Sequence, residues 1–110
     1  GGSQVITNSG DIAATAIFTI HGPITNPSVN NTTTGKSFVI NTTIAAGNYV
    51  IVYQNTNGFF VLLNGTTNYY QYFTGTFFDI VVGMNNIVFT GAASTGATLG
   101  MEFSNYYLGL

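Results

Sequence analysis

Ionisable side chains are scarce in this sequence, which limits the chemistry that it could perform. Charge is carried by Asp11, Lys36, Asp79 and Glu102, and His21 is the single histidine. A transition-metal site needs three or four ligands, and one histidine with three scattered carboxylates is a poor source of them. A nucleophile needs a base beside it, and His21 is the only side chain suited to that role at neutral pH. We therefore predict no catalytic, cofactor-binding or metal-binding residues.

The strongest enzymatic alternative is a pair of carboxylates of the kind that hydrolyses glycosidic bonds. The candidates are Asp79 with either Glu102 or Asp11. Asp79 faces away from the apolar residues around it, and Glu102 lies on the polar side of its segment. The two could be neighbours across strands, but a solvated or singly hydrogen-bonded role is the simpler interpretation. His21 precedes a glycine and a proline, so we expect it at the surface end of a strand.

The residues with binding character are aromatic. Tyrosines crowd one segment of the chain and recur near its C-terminus. Adjacent tyrosines on a strand place rings on both faces of a sheet, so one set belongs to the core. The outer set could pack against a neighbouring protein or stack on sugar rings, and a purely structural role also stays open. The candidate contact residues are Tyr69, Tyr70, Tyr72, Tyr106 and Tyr107.

The overall composition excludes several classes of partner. The formal net charge is −2 with one Lys and no Arg, whereas nucleic-acid binding depends on cationic side chains that neutralise phosphates. An anionic membrane surface is excluded for the same reason. No apolar run approaches the roughly 20 residues of a spanning helix. Hydrophobic residues make up 45% of the chain, with nine Phe and seven Tyr, so a core can form without the disulfides that a Cys-free chain lacks.

Apolar and polar residues alternate with the period of two that is typical of β-strands. The alternation is clearest in residues 14–21 and 97–106, and further strands are predicted at 37–43, 77–82 and 87–90. Residues 49–53 and 59–63 are apolar on both faces, which suits strands covered on both sides or strands whose outer face carries aromatics. Eight or nine short strands predict an all-β fold, an antiparallel two-sheet β-sandwich of galectin-like or jelly-roll-like form. A flattened barrel remains the alternative.

Two Asn-Gly dipeptides predict tight hairpins, since both residues tolerate the positive φ angles of a type I′ turn. The turn at Asn57-Gly58 would set Tyr53 opposite Leu62. The turn at Asn64-Gly65 would set Phe60 opposite Tyr69. Three strands, over residues 48–56, 59–63 and 66–73, would then form a meander.

The chain is predicted to hold one folded domain, residues 11–110, after a lead-in. Residues 1–10 lack periodicity and are expected to be an extended lead-in that opens with a Gly-Gly-Ser cloning scar. Neither a basic region nor an apolar core marks a signal peptide, and we expect the native protein to be longer. Pro23 and Pro27 are expected to bracket a loop, since proline does not suit a central strand.

Four segments, taken in order, resemble the C-terminal domain of the siphophage distal tail protein family, a phage tail component. They are residues 24–38 (ITNPSVNNTTTGKSF), 44–48 (IAAGN), 61–65 (VLLNG) and 82–91 (VGMNNIVFTG). The family has a Gly-Pro-x-x-Asn-Pro element before a Thr-rich strand, then an Ala-Ala-Gly turn, a Leu-Asn-Gly hairpin and a Val-Gly-x-Asn turn. No single motif is diagnostic, but their order and spacing match over nearly the whole chain.

The resemblance implies a galectin-like β-sandwich in a protein that joins the tail tube to the tail-tip apparatus. It implies a non-enzymatic structural role in the virion, after synthesis in the cytoplasm of the bacterial host. The implied partners are other tail and baseplate proteins, because the C-terminal domain of the family projects outward and docks such components. We expect this chain to lack the ring-forming N-terminal domain of the family and the isolated domain to be monomeric.

The sequence also departs from the family. Members commonly carry Arg before the hairpin strand and a Trp-Arg-Asp ending, whereas this chain has neither Arg nor Trp and reads FSNYYL at residues 103–108. The sugar site of galectins uses a His, Arg and Trp set that this chain does not possess, so a galectin-like shape does not imply galectin-like binding. The tyrosine cluster nevertheless keeps one alternative open, a carbohydrate-binding module that aids adsorption to host cell-wall glycans.

Overall fold

The computed structural model describes residues 2–103, which form eleven strands and one 3-10 helix. In chain order the elements are β1 Gly2–Asn8, β2 Ile17–His21, β3 Ile24–Asn31, β4 Lys36–Ile40, β5 Thr43–Ile44, β6 Tyr49–Asn55, β7 Gly58–Leu63, β8 Thr67–Asn68, the 3-10 helix η1 Tyr70–Tyr72, β9 Phe73–Gly75, β10 Gly83–Ala92 and β11 Thr98–Glu102.

The strands form two antiparallel sheets that pack face to face. The first sheet has the order β1-β10-β3-β4-β9, with β5 also paired to β3, and the second has the order β11-β2-β6-β7-β8. The predicted two-sheet antiparallel β-sandwich is confirmed, and the barrel alternative is not formed, since no strand pairing in the described residues joins the sheets. Strands outnumber the eight or nine predicted because β1 and β3 were not predicted as strands and because segments 37–43 and 66–73 are each divided in two, while residues 77–82 form no strand.

The core lies between the sheets and is centred on aromatic rings. Ala14, Ala16, Phe18 and Ile20, predicted to share one side of a strand, are all fully buried. Phe18 of β2 contacts Phe38 of β4 edge-on, with ring centroids 5.3 Å apart. It contacts two further rings, those of Phe77 and Phe78, at 5.8 and 5.2 Å. Edge-to-face packing is a favoured aromatic geometry, so these rings join the two sheets.

The predicted register of the β6–β7 hairpin is wrong. Asn55 pairs with Gly58, so the turn residues are Thr56 and Asn57, one position earlier than predicted. Tyr53 consequently lies opposite Phe60 instead of Leu62. Moving a two-residue turn by one position shifts the register by two, which keeps each side chain on its predicted face.

The predicted register after β7 is also wrong. Asn64 and Gly65 have the expected positive φ angles, 53° and 76°. Thr66 is an additional turn residue, however, whose N–H donates to the carbonyl of Leu63 at 3.1 Å, and the pairing resumes between Leu63 and Thr67.

The third strand of the meander is wrong as well, since β8 stops at Asn68. The Asn68 side chain accepts a hydrogen bond from the backbone N–H of Tyr70 at 2.9 Å, and the N–H of Tyr72 donates to the carbonyl of Tyr69 at 3.0 Å. Local bonds of this kind compete with strand pairing. The chain therefore turns through η1 and enters the first sheet as β9.

Residues 77–82 do not form the predicted strand. Ile80 makes an isolated bridge to Ala14, through backbone hydrogen bonds of 2.8 and 2.9 Å. Phe78 and Ile80 are buried, as the alternation predicts. The backbone of Val81 is instead bonded to the side chain of Asn85, which replaces a neighbouring strand as its partner.

Pro27 does not lie in a loop but inside β3, a central strand. Residues 26–27 have no register partner on β10, β4 or β5, and the pairing with β10 is irregular at this level. Asn26 has a positive φ of 51°. The missing N–H of proline therefore falls where the ladder is interrupted, which is where a sheet tolerates it.

Residues 2–8, assigned above to an extended lead-in, form the edge strand β1 along β10. Buried asparagine side chains hold the C-terminal end of β1 in place. The Asn8 side chain donates to the carbonyls of Ile12 and Ile80 at 2.9 and 3.0 Å. The Asn85 amide accepts from the Asn31 side chain at 3.0 Å and donates to the carbonyl of Ile6 at 3.3 Å. Buried amides with full sets of partners fix the loops at this end of the sandwich.

Candidate binding surface

The outward side of the second sheet is built from large apolar side chains. Along β2 and β6, buried residues alternate with half-buried ones that point away from the core, and on β7 the half-buried Phe60 and Leu62 flank the buried Val61. We call this set the outer apolar face: Ile17, Tyr49, Ile51, Tyr53, Phe60 and Leu62. None of the six belongs to the cluster packed between the sheets, so their exposed area is open to a partner.

The strand register brings these side chains together. Thr19 lies opposite Ile51, and Ile51 lies opposite Leu62. Beside this row, Tyr53 and Phe60 are paired with ring centroids 5.1 Å apart and planes inclined by 22°. Residues directly opposite on one face are close enough to interact. The result is a continuous apolar patch, and patches of this kind mark interaction sites more often than single exposed residues do.

Tyr70 extends the outer apolar face around the edge of the second sheet. Its ring lies 6.0 Å from that of Phe59 and nearly perpendicular to it. A shallow groove beside it is lined by Phe60, Leu62 and Asn68. Tyr70 is 58% exposed and is the one exposed aromatic side chain within residues 2–103.

The structure divides the tyrosines singled out from the sequence. Tyr70 points outward, whereas Tyr69 and Tyr72 are half-buried, pack against the core and lie 4.9 Å apart by ring centroids. They belong to η1 and its flank instead of one strand. Tyr106 and Tyr107 lie outside the described residues.

The outer apolar face was not selected from the sequence, although a signal for it exists. Residues 49–53 and 59–63 are apolar on both faces, which left open a covered strand or an aromatic outer side. The structure shows an aromatic outer side, because no element of the described chain covers this side of β6 and β7. The buried asparagines had no signal that separates them from the many exposed ones.

His21 and Glu102 lie near opposite ends of β2. His21, at one end of β2, packs its ring 5.5 Å from that of Tyr49. Glu102 pairs with Ile17 at the other end, about 13 Å away at roughly 3.3 Å per residue. Asp79 is exposed and accepts one long hydrogen bond, 3.5 Å, from the Thr15 hydroxyl. His21 and Glu102 are therefore too far apart to act on one substrate position.

A second concavity, of about 500 Å³, opens between the sheets at the β1 and β11 edges. Its walls are inward-facing apolar residues such as Ile6, Phe89, Leu99 and Met101, and no His, Asp or Glu lines it. In residues 2–103, no three residues of metal-ligating type are grouped, and no helix is long and apolar enough to cross a membrane.

The outward side of the first sheet has a different composition. Registered rows cross it as Ser3, Val88, Asn30, Ser37 and as Thr90, Ser28, Val39, Thr74. In these two rows each valine is separated from the next by serine, threonine or asparagine, while Val5 and Met84 are exposed in the neighbouring rows, opposite Asn86 and Thr7. We call this surface the outer polar face. No aromatic ring lies on it, and its hydroxyls and amides can bind water without a partner.

Fold and surface together define the chain as an antiparallel β-sandwich domain with one polar and one apolar outer face. Residues 9–107 match the family model of the siphovirus-type tail component, C-terminal domain, and the chain belongs to this family. The resemblance seen in the sequence is thereby confirmed: the chain is a structural component of a bacteriophage tail and so of the virion. No curated protein and no solved structure matches it.

Proposed function

We propose that this domain is a non-enzymatic docking module of the tail tip, the C-terminal domain of a distal tail or baseplate hub protein. Its outer apolar face would contact neighbouring tail-tip proteins, and the observation that carries the proposal is the continuous patch from Ile51 to Tyr70. Family membership supplies the tail context. In this proposal the domain is made in the host cytoplasm and is monomeric when isolated.

The physical argument rests on contiguity and residue type. Interfaces derive most of their binding free energy from a few residues, with tyrosine and tryptophan enriched among them, that lose water together. Tyr53, Phe60 and Tyr70 are rings at adjoining positions on one surface. Burying apolar area contributes roughly 25 cal/mol per Å², and a face without charged residues at its centre loses little through desolvation.

Assembly of mutant phage tests this proposal. Ile51→Asp places a charge at the centre of the outer apolar face, and we expect incorporation of the protein into tails to fall roughly thirtyfold, as for loss of an interface hot spot. Val39→Asp is the matched control, since both residues are half-buried, β-branched and outward on interior strands. Incorporation of Val39→Asp should stay near the parent level.

Both variants are first compared by urea unfolding, because aspartate is unfavourable in either strand. Equal stability with unequal incorporation would support docking through the outer apolar face. Equal incorporation of the two variants at equal stability would refute it.

A second candidate is the carbohydrate-binding module that aids adsorption, which the exposed Tyr70 specifically favours. A ring exposed beside the Asn68 amide could stack on a sugar while the amide bonds its hydroxyls. Tyr70→Ala should then abolish binding to host cell-wall fragments on a glycan array, whereas Met84→Ala, also exposed but on the first sheet, should bind as the parent does. An array without signal for the parent chain would end this alternative.

A further inference from the structure

The two Asn-Gly dipeptides of this chain occur at hairpins of the second sheet, but their side chains are held differently. Asn57-Gly58 lies at the β6–β7 hairpin and Asn64-Gly65 directly after β7. An asparagine followed by glycine is chemically labile, since the absent Cβ leaves the glycine nitrogen open to the preceding side chain. Whether that reaction occurs depends on the freedom of the asparagine amide.

The side chain of Asn57 is not held by hydrogen bonds in the described part of the chain. It is exposed at the tip of the hairpin, and its backbone N–H donates to the Asn55 side chain at 2.8 Å. Its own amide group makes no hydrogen bond within residues 2–103. Gly58 has a φ of 137°, in a region that other residues rarely adopt, so the fold itself demands the glycine that makes Asn57 labile.

Asn64 is restrained. Its side-chain oxygen accepts a hydrogen bond from the backbone N–H of Tyr49 at 3.0 Å, and its amide nitrogen donates to the Asn48 side chain at 3.3 Å. Both bonds must break before the Cγ of Asn64 can approach the nitrogen of Gly65. The same dipeptide is thus protected at one hairpin and unprotected at the other.

We propose that Asn57 is a site of spontaneous covalent modification. The backbone nitrogen of Gly58 attacks Cγ of Asn57, a C–N bond forms, the nitrogen loses its proton and the side-chain nitrogen leaves as ammonia, which gives a cyclic imide. Water then opens the imide at either carbonyl. Opening yields aspartate with the original backbone or isoaspartate, in which the backbone runs through the former side chain. No oxidation or reduction is involved.

The modification would change the electrostatics beside the outer apolar face. The hairpin joins the strands that carry Tyr53 and Phe60, and the formal net charge of the chain would move from −2 to one unit more negative. In a chain with three acidic residues, one additional carboxylate is a large relative change. The reaction itself does not depend on the proposed docking function, and so the two can fail separately.

Incubation of the full chain in mildly alkaline buffer, followed by chymotryptic peptide mapping and tandem mass spectrometry, tests the proposal. Cleavage after the aromatic residues separates residues 54–59 from residues 61–69, so the two dipeptides are read in one sample. We expect conversion of Asn57 at least about tenfold faster than that of Asn64, because two hydrogen bonds restrain Asn64. Labelling with an isoaspartyl methyltransferase should mark the fragment that contains position 57.

Two variants complete the experiment. Asn57→Ser keeps Gly58 and should abolish the fast conversion, whereas Asn57→Asp should reproduce the anion-exchange mobility of the product at once. Asn8, which precedes Ser9 and is 1% exposed with its amide bonded on both sides, serves as a buried internal control that stays unmodified. Equal conversion at Asn57 and Asn64, or none at Asn57, would overturn the assignment.

Discussion

The two outer faces of this sandwich are built on similar strands but leave different surfaces to the surroundings. On the first sheet, the outward apolar residues lie opposite serine, threonine or asparagine: Val5, Val39, Val88 and Met84. On the second, Ile51, Leu62 and the stacked Tyr53–Phe60 pair adjoin one another. A single apolar side chain on a surface needs no explanation, whereas a contiguous group does.

The comparison teaches that the near absence of charge has two consequences in one molecule. On the outer polar face, uncharged hydrogen-bonding groups replace lysine and glutamate and keep the sheet hydrated. On the outer apolar face, the same lack of charge means that a second protein can bind without the cost of removing water from charged side chains. The inner sides of both sheets meet one common requirement, to fill the space around Phe18, so the asymmetry arises only on the outside.

The largest effect on stability is expected at Phe18, because its ring contacts residues of both sheets. Phe18→Ala removes a ring that touches both sheets and should lower the free energy of unfolding by about 3–5 kcal/mol. Both outer faces should lose order together, as measured by the urea midpoint and by hydrogen exchange of β3 and β6. A loss confined to the second sheet would show that the first sheet is stable without this contact.

A smaller effect is expected from a change that acts on one sheet alone. Asn85→Ala leaves buried partners unpaired around Val81 and the end of β1, at about 1–3 kcal/mol for such groups. Hydrogen exchange should accelerate in β1 and β10, while β6 and β7 stay protected. Asn86→Ala, one residue along and half-buried on the outside, is the control and should cost less. Uniform acceleration in both sheets would contradict this separation.

The smallest expected effect is a difference in side-chain coupling energy between the two outer faces. A double-mutant cycle of Tyr53→Ala and Phe60→Ala should give a coupling energy of about 0.5–1.5 kcal/mol, which is typical of aromatic pairs. The cycle of Ser28→Ala and Val39→Ala, a registered pair on the outer polar face, should give less than about 0.5 kcal/mol. Similar couplings for the two pairs would remove the energetic basis of the comparison.

Much of the fold followed from alternation, because burial imposes it directly. The inward set from Ala14 to Ile20 and the polar position of Glu102 were predicted correctly. Register was not, since it depends on one turn residue more or less, as Thr66 demonstrates. Alternation also misled at residues 77–82, where Ile80 is buried by packing but its neighbour Val81 bonds to a side chain.

The candidate site was only partly predictable for a related reason. The sequence pattern identified aromatic density around Tyr70, but it could not separate Tyr70 from Tyr69 and Tyr72. That separation depends on η1, which forms through a local side-chain bond from Asn68. The outer apolar face could not be predicted because its exposure depends on whether another element covers β6 and β7. That is decided by how the sheets assemble and not by the sequence of either strand.

The Asn85 amide has a consequence for the range of sequences that this architecture can accept. Its oxygen accepts hydrogen bonds from two N–H groups, and its nitrogen lies within hydrogen-bond distance of three carbonyl oxygens. The residue itself has no exposed surface. An isosteric carboxylate has no donor for those carbonyls, and an isosteric leucine has neither donor nor acceptor. Natural variation should therefore be restricted to one residue type at this position and broad at the adjacent Met84, which is 71% exposed.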